Sequence, residues 1–348
     1  FLLSTDILLI FFWTAGLIQV LRIKENPSFI NFAVLGLLLG FAFLAKYAAV
    51  YFIISLILLF IIEKNFRIIF FQSKLKLLLS SFIILLILLP NILWNYQNDW
   101  PTFGHTAENA SLNKIKLNPL GLVEFLFSQI IMIGPILFIS FLIYLFKKIK
   151  INNNEKFLIS FAFPALLIVS IESFLVRAHA NWAAVSLISL CVLFVSVVYK
   201  FNKKIIYLNN YLNLIVGLIL FLIIGFNLHL NVFNRISGLN DFVQFLDEKN
   251  EKNIDNIVIS DRQLFANLNF AYYSKRINFY TTLEPGNKIA HHFQLKKSLP
   301  INFSKNFLLI GDKSDINYLQ KNIKARLIGS KSFPFTRENI KIYEIIIE

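Results

Sequence analysis

The 348-residue chain is 57% hydrophobic and only 16% charged, against about 25% charged in soluble proteins, so a single soluble globule is excluded. Its net charge of +14 is carried largely by short segments between apolar runs, the pattern of membrane orientation rather than of nucleic-acid binding. Its one cysteine, Cys191, lies in an apolar run, which excludes an internal disulfide framework or thiolate metal site.

The first residue, Phe1, already lies in an apolar run with no charged region or cleavage site before it, so the chain reads as part of a longer protein and not as a signal peptide. Eight spans are expected, at about 7–22, 29–45, 47–62, 77–94, 121–146, 157–176, 182–199 and 206–229. Asp6 opens the first, where Ser4, Thr5 and Asp6 are also good helix caps. The stretch 29–62 is too long for one span of about 20 residues, and Lys46 sits near its middle. Two short spans turning at Lys46 resolve both difficulties. Lys46 is either a snorkelling turn residue or a cation placed for a phosphate.

The segment 89–114 is the longest loop between spans on its side. It holds Asn91, Asn95, Asp99, Trp100, His105, Glu108 and Asn109. His105 and Glu108, spaced i and i+3, share one face of a helix, a spacing suited to a proton relay or a metal ligand pair. The fifth span, long enough to tilt or to lie partly outside the bilayer, carries Glu124 near its start. Residues 172–187 place Glu172, Arg177, His179 and Asn181 between two spans, with Trp182 as an interfacial anchor and Glu172 and Arg177 as an expected ion pair.

From about residue 233 the composition changes. Residues 239–255 read as a helix, 257–260 as a strand, 261–274 as a helix, 306–312 as a strand, 315–323 as a helix and 341–347 as a strand. The expected fold class is therefore a polytopic α-helical membrane domain over 1–232 followed by a small α/β domain over 233–348.

Lys and Arg in the short loops give the orientation. One set carries Arg22, Lys24, Lys64, Arg67, Lys74, Lys76, Lys147, Lys148, Lys150, Lys156, Lys200, Lys203 and Lys204; the other carries only Lys46, Lys114, Lys116 and Arg177. The first set is cytoplasmic by this rule. Asp6, Lys46, the 89–114 loop, Arg177, His179, Asn181 and the α/β domain then all lie on the outer side. Carboxylates, amides, imidazole and cations gathered at headgroup level suit a phosphorylated lipid and a polar co-substrate.

Four stretches, STDILLIFFW, LGLLLGFAFLAKYAAV, LPNILWNYQNDWPTFGHTAENA and RAHANWAA, taken in order, resemble bacterial GT-C superfamily glycosyltransferases, the relatives of protein O-mannosyltransferases and the lipid A aminoarabinose transferase. The resemblance implies a multi-pass protein of the bacterial inner membrane whose α/β domain is periplasmic. It implies inverting transfer of a sugar from a polyprenyl-phosphate donor to a lipid, glycan or protein acceptor. Asp6, His105 and Glu108 become the catalytic candidates. Lys46, Arg177, His179 and Asn181 become the substrate-binding ones, and His105 a ligand for a divalent metal. The family's base carboxylate would precede Phe1, so the fragment alone is expected to be inactive. Two other readings compete. A secondary transporter needs polar groups near mid-membrane on broken helices, whereas these lie at one face. A non-catalytic membrane scaffold with an outer binding domain would tolerate alanine at Asp6, Lys46 and His105.

Overall fold

The computed structural model describes residues 4–104, 116–146, 151–226, 234, 237–287, 289–319, 322–336 and 338–347. The chain divides into two compact units, Phe1–Gly217 and Leu218–Glu348. Up to and across the boundary at Gly217, the apolar runs are helices: α1 (Thr5–Glu25), α2 (Phe29–Ala45), α3 (Val50–Ile62), α4 (Lys64–Gln72), α5 (Lys74–Gln97), α6 (Pro119–Ile133), α7 (Pro135–Leu145), α8 (Asn153–Leu175), α9 (Ala184–Phe201) and α10 (Lys203–Gly225), whose last turns belong to the second unit. Five of these are long and apolar enough to cross a membrane; two bent pairs and the 17-residue α2 occupy the other predicted positions.

Contacts between helices give their directions. Asp6 meets Lys46 at one end of α1 and α2, and Gln19 Nε2 donates to the Asn31 carbonyl at 2.8 Å near the other, so the two are antiparallel. The α3 residue Phe52 packs at 5.0 Å from Trp13, and Phe66, just beyond α3, lies 5.0 Å beneath the Lys24 ammonium. Helix α3 therefore runs alongside α1 and against α2, and the chain reverses at Lys46 as the charge argument requires. Helix α8 runs against α3, with Phe161 at 4.8 Å from Phe52 and Lys156 at 3.7 Å from Glu63. Lys200 pairs with Glu155, which sets α9 against α8.

Lipid is as apolar as leucine, so helix association in a membrane rests on close packing and small residues rather than on hydrophobic burial. Gly36 and Gly40 supply this: α5 lies so close that a Cβ on Gly36 would sit 2.6 Å from the Ser80 carbonyl oxygen, and one on Gly40 2.7 Å from Ile87. The rising pairs 36 with 80 and 40 with 87 make α2 and α5 parallel. Trp13, Phe32, Phe52 and Phe161 fill the centre and are fully buried.

Two expectations change. The single span over 121–146 is two helices meeting at 100°. The break falls at Gly134–Pro135, where Gly134 has φ +106° and Pro135 begins α7. Glycine takes that φ without strain, and proline fits a first helical turn because its missing N–H has no partner there. Gly134 has no side chain to cap α7, and Asn209 of α10 does so instead, its Oδ1 accepting from Leu137 N at 3.0 Å. The basic segment 63–76, expected as a loop, is largely α4, set at 113° to the preceding helix. Its helix forms because Phe66 and Phe70 are buried, against Phe157 and Phe32.

The second unit contains α11 (Leu239–Lys249), β1 (Asn256–Ile259), α12 (Arg262–Ala271), β2 (Asn278–Thr281), α13 (His292–Lys297), β3 (Phe307–Ile310), β4 (Ile323–Lys331) and β5 (Ile340–Ile347). The sheet order is β2-β1-β3-β5-β4. Strand β1 is parallel to β2 and β3, and β5 is antiparallel to β3 and β4. Every residue of β1 and β3 is buried, as in a sheet covered on both faces. Phe242, Leu246, Leu264, Phe265 and Leu268 of α11 and α12 cover one face; Leu299, Ile316 and Leu319 help cover the other. Of the helix expected at 315–323, the described residues form only a 3-10 turn, Lys313–Ile316. Strands β2 and β4 carry no clear sequence signal: β2 is four residues, and β4 is an exposed edge whose Lys324, Arg326 and Lys331 discourage further pairing.

Candidate active site

The start of α1, the turn at Lys46, the end of α5 and the turn before α9 come together at one end of the helical unit. The N-cap Ser4 begins the cluster, its Oγ accepting from Asp6 N at 3.2 Å and donating to Asp6 Oδ2 at 2.8 Å. Lys46 ends α2, where a cation suits the helix dipole. Its Nζ donates to Asp6 Oδ1 at 2.6 Å. Asn181 Nδ2 donates to Asp6 Oδ2 at 2.8 Å. The Asp6 side chain is 14% exposed and that of Lys46 is 29% exposed. Both Asp6 oxygens are thus engaged, while two of the three ammonium protons of Lys46 have no acceptor among the described residues. The arrangement can hold the Lys46 ammonium in place through Asp6 while leaving it donor capacity.

Tyr47 extends the cluster to α5. Its hydroxyl donates to Asn91 Oδ1 at 2.6 Å, and Asn95 Nδ2 donates to the Asn91 carbonyl at 2.9 Å. Beyond α5, Asp99 and Trp100 both take positive φ, 59° and 57°, a region non-glycine residues rarely enter outside constrained turns. That kink returns the chain so that Thr102 N donates to Asn95 Oδ1 at 3.2 Å and Phe103 lies 5.3 Å from the Tyr47 ring.

The turn holding Asn181 is fixed from below. Lys116 N and Asn118 N donate to the carbonyls of Leu175 and Phe174 at 2.9 and 2.7 Å. Asn118 Nδ2 donates to the Val176 carbonyl at 3.2 Å, and buried Gln129 donates to the Ala180 carbonyl at 2.9 Å.

Of the predicted site residues, Asp6, Lys46 and Asn181 are in direct contact. His179 and Arg177 share the Asn181 turn and are exposed; the His179 ring stands edge-on to Trp182 at 5.4 Å. The expected Glu172–Arg177 pair does not form, because α8 ends at Leu175 and the chain turns away between them. Glu124 is exposed on α6 and joins none of these contacts. His105, Glu108, Asn109 and Lys114 lie outside the described residues. Among the described residues, no three His, Cys, Asp or Glu side chains are placed to share a metal ion. Sequence reasoning passed over Tyr47, Asn118 and Gln129. Gln129 left a signal, an amide inside the apolar FLFSQIIMI run, where an unsatisfied polar group is costly.

Residues 1–94 match the family model of dolichyl-phosphate-mannose-protein mannosyltransferases. Over 198 residues the chain is 27% identical to lipid A galacturonosyltransferase RgtD of Rhizobium johnstonii, a match covering 56% of this chain and 41% of that protein. No solved structure matches the chain. The stretch covered by the family model contains Asp6, Lys46, Tyr47 and Asn91.

Proposed function

We propose that this chain, a member of the GT-C glycosyltransferase superfamily, serves a transfer of sugar from a polyprenyl-phosphate donor to a lipid or glycan acceptor at the outer face of a bacterial inner membrane. The observation that carries the reading is the Lys46 ammonium, held by Asp6 at one end of the helical unit with donor capacity to spare.

In this reading the acceptor hydroxyl attacks the anomeric carbon. The bond from that carbon to the lipid phosphate oxygen breaks, its electron pair leaves with the phosphate, and the configuration inverts. Negative charge grows on the departing phosphate, and a preorganised ammonium stabilises it more than it stabilises the bound donor. Asp6 and Asn181 keep Lys46 aimed, and its position at a helix end near the bilayer keeps the local dielectric low. Arg177, exposed in the neighbouring turn, supplies a second cation, and His179 and Asn181 supply sugar contacts. His105 and Glu108 are the candidates to take the acceptor's proton. A divalent ion held by His105 would supply further charge neutralisation at the phosphate. The name of the galacturonosyltransferase relative favours a lipid-linked glycan as acceptor.

The test is transfer from a polyprenyl-phosphate sugar by the intact protein in proteoliposomes. Lys46→Ala is expected to lower turnover by about 100-fold or more, the scale of losing one charge-stabilising donor, with membrane insertion unchanged. Lys46→Arg is expected to keep part of the activity. Wild-type turnover by Lys46→Ala overturns the proposal.

A further inference from the structure

The second unit carries a cleft outside the transfer chemistry just described. Strands β1, β2 and β3 are parallel, so their carboxyl ends share one edge of the sheet. In open α/β sheets ligands bind outside those ends, where the connecting segments part. A cavity of about 660 Å³ lies at that edge, within the range of about 300–1,000 Å³ typical of small-molecule sites.

Its walls come from the segments after β2 and β3. Thr282, Glu284 and Asn287 line one side, and Ser314, Asn317 and Tyr318 the other. The supporting groups are already fixed. Gln294 Nε2 donates to the Thr282 carbonyl at 3.0 Å, and its Oε1 accepts from Ala290 N at 2.8 Å. Asp315 Oδ2 accepts from Ser260 Oγ at 2.5 Å and from Asp312 N at 2.9 Å. Gly311, with φ +154°, leaves the room this requires: a Cβ there would lie 2.6 Å from Ser260 Oγ and 2.8 Å from Asp315 Oδ2.

The lining chemistry selects the ligand class. Among the described lining residues there are carboxylates, amides and hydroxyls, with no Lys, Arg or His. An anionic ligand needs cations, which makes a phosphate or uronate a poor fit. An apolar ligand needs an apolar wall, and Leu283 is the main such residue. A sugar's hydroxyls, by contrast, donate to carboxylates and accept from amides, and its C–H face packs on an aromatic ring such as half-buried Tyr318. We propose that this cleft binds a non-anionic saccharide. All of the lining residues belong to the second unit, whereas Asp6 and Lys46 belong to the first, and the proposal does not rest on the transferase reading.

The test uses the intact protein purified in detergent, titrated with methyl mannoside, chitobiose and glucosamine, with galacturonate as the anionic probe. Saturation-transfer NMR is expected to show saturable binding of at least one of the first three, about tenfold tighter than galacturonate. The double variant Glu284→Ala/Asn317→Ala is expected to weaken that binding by about tenfold or more with an unchanged unfolding temperature. Should that variant melt early, Asn287→Ala, on an exposed position, carries the same expectation. Lys46→Ala is expected to bind like wild type. Absence of saturable binding by every probe, equal or tighter binding of galacturonate, or undiminished binding in the folded lining variants would overturn the proposal.

Discussion

Asn181 and Asp6, 175 positions apart in the chain, are joined by a 2.8 Å hydrogen bond. The bond ties the turn before α9 to the start of α1, and through Asp6 it reaches Lys46. A hydrogen bond to a charged group contributes about 1.5–3 kcal/mol. Asn181→Ala removes one of the donors on Asp6 and leaves Lys46 less closely aimed. We expect turnover to fall about tenfold, the size of that energy, with less loss than in Lys46→Ala. Because the two residues act through Asp6, the double variant should lose less than the product of the single effects. Independent, multiplying losses would show that Asn181 acts elsewhere.

The same reasoning separates Asp6 from a general base. Asp6→Asn keeps an acceptor for Lys46 but removes the opposing charge. If Asp6 were the base, the change would remove that function outright and abolish the acidic limb of the pH–rate profile, where rate rises as the base loses its proton. An anchor would keep that profile and lose rate. The expected result is a lower rate with the profile's shape retained, measured as kcat against pH in proteoliposomes.

Gly36 tests the membrane packing. A Cβ there would meet the Ser80 backbone, 2.6 Å from its oxygen and 3.0 Å from its Cα. Backbone cannot rotate aside as a side chain can, so α2 and α5 must separate. Gly36→Val should destabilise the helical unit by about 1–3 kcal/mol, the usual cost of overpacking. The readout is a lower unfolding temperature in detergent. An unchanged melt would mean that α2 and α5 do not meet there.

The span positions were readable because lipid imposes a length and a hydropathy that few residues violate. The reversal at Lys46 followed from one charge placed where a single span could not hold it. The break at Gly134 was not drawn from the sequence, although the Gly-Pro pair is there. It depends on Asn209, some seventy positions later, to accept from Leu137. The site divides the same way. Asp6 and Lys46 announce themselves as charges at span ends. The Asp6–Asn181 bond, and the role of Gln129 beneath Ala180, depend on which helices become neighbours. In the α/β unit β1 and β3 are buried apolar runs and were legible, whereas β2 and β4 gain their strand state from the partners beside them.

Tyr272 offers a check in the second unit. It is buried, and its hydroxyl donates to Asp247 Oδ1 at 2.8 Å. Burial, then the Asp247 carboxylate, push its phenol well above the ordinary range. A raised folded value means that this contribution is complete below the unfolded value of about 10 and fades as pH rises through the folded one. Tyr272→Phe should cost about 0.5–1.5 kcal/mol at neutral pH. The gap between wild type and variant should shrink in strong alkali, as read from paired thermal melts. A gap that widens with alkalinity contradicts this assignment.

Asn209 provides the last test, because it caps a helix to which it does not belong. The first turn of α7 leaves N–H groups without intrahelical partners. Pro135 has none to satisfy, and Gly134 brings no side chain, so Leu137 N relies on Asn209 Oδ1. The amide is 2% exposed, and water therefore has little access to replace it. Asn209→Leu fills the space but offers no acceptor, and losing a cap costs about 0.5–2 kcal/mol. Gly134→Ala attacks the same junction from the other side, since alanine is strained at φ +106° and its Cβ would lie 2.4 Å from Asn209 Oδ1. Both variants should lower the unfolding temperature and speed hydrogen exchange at the start of α7. Combined, they should cost less than their sum, because a Cβ at Gly134 already displaces the Asn209 amide and so disrupts the same cap that Asn209→Leu removes. Strict additivity would mean that the two residues do not form a single joint.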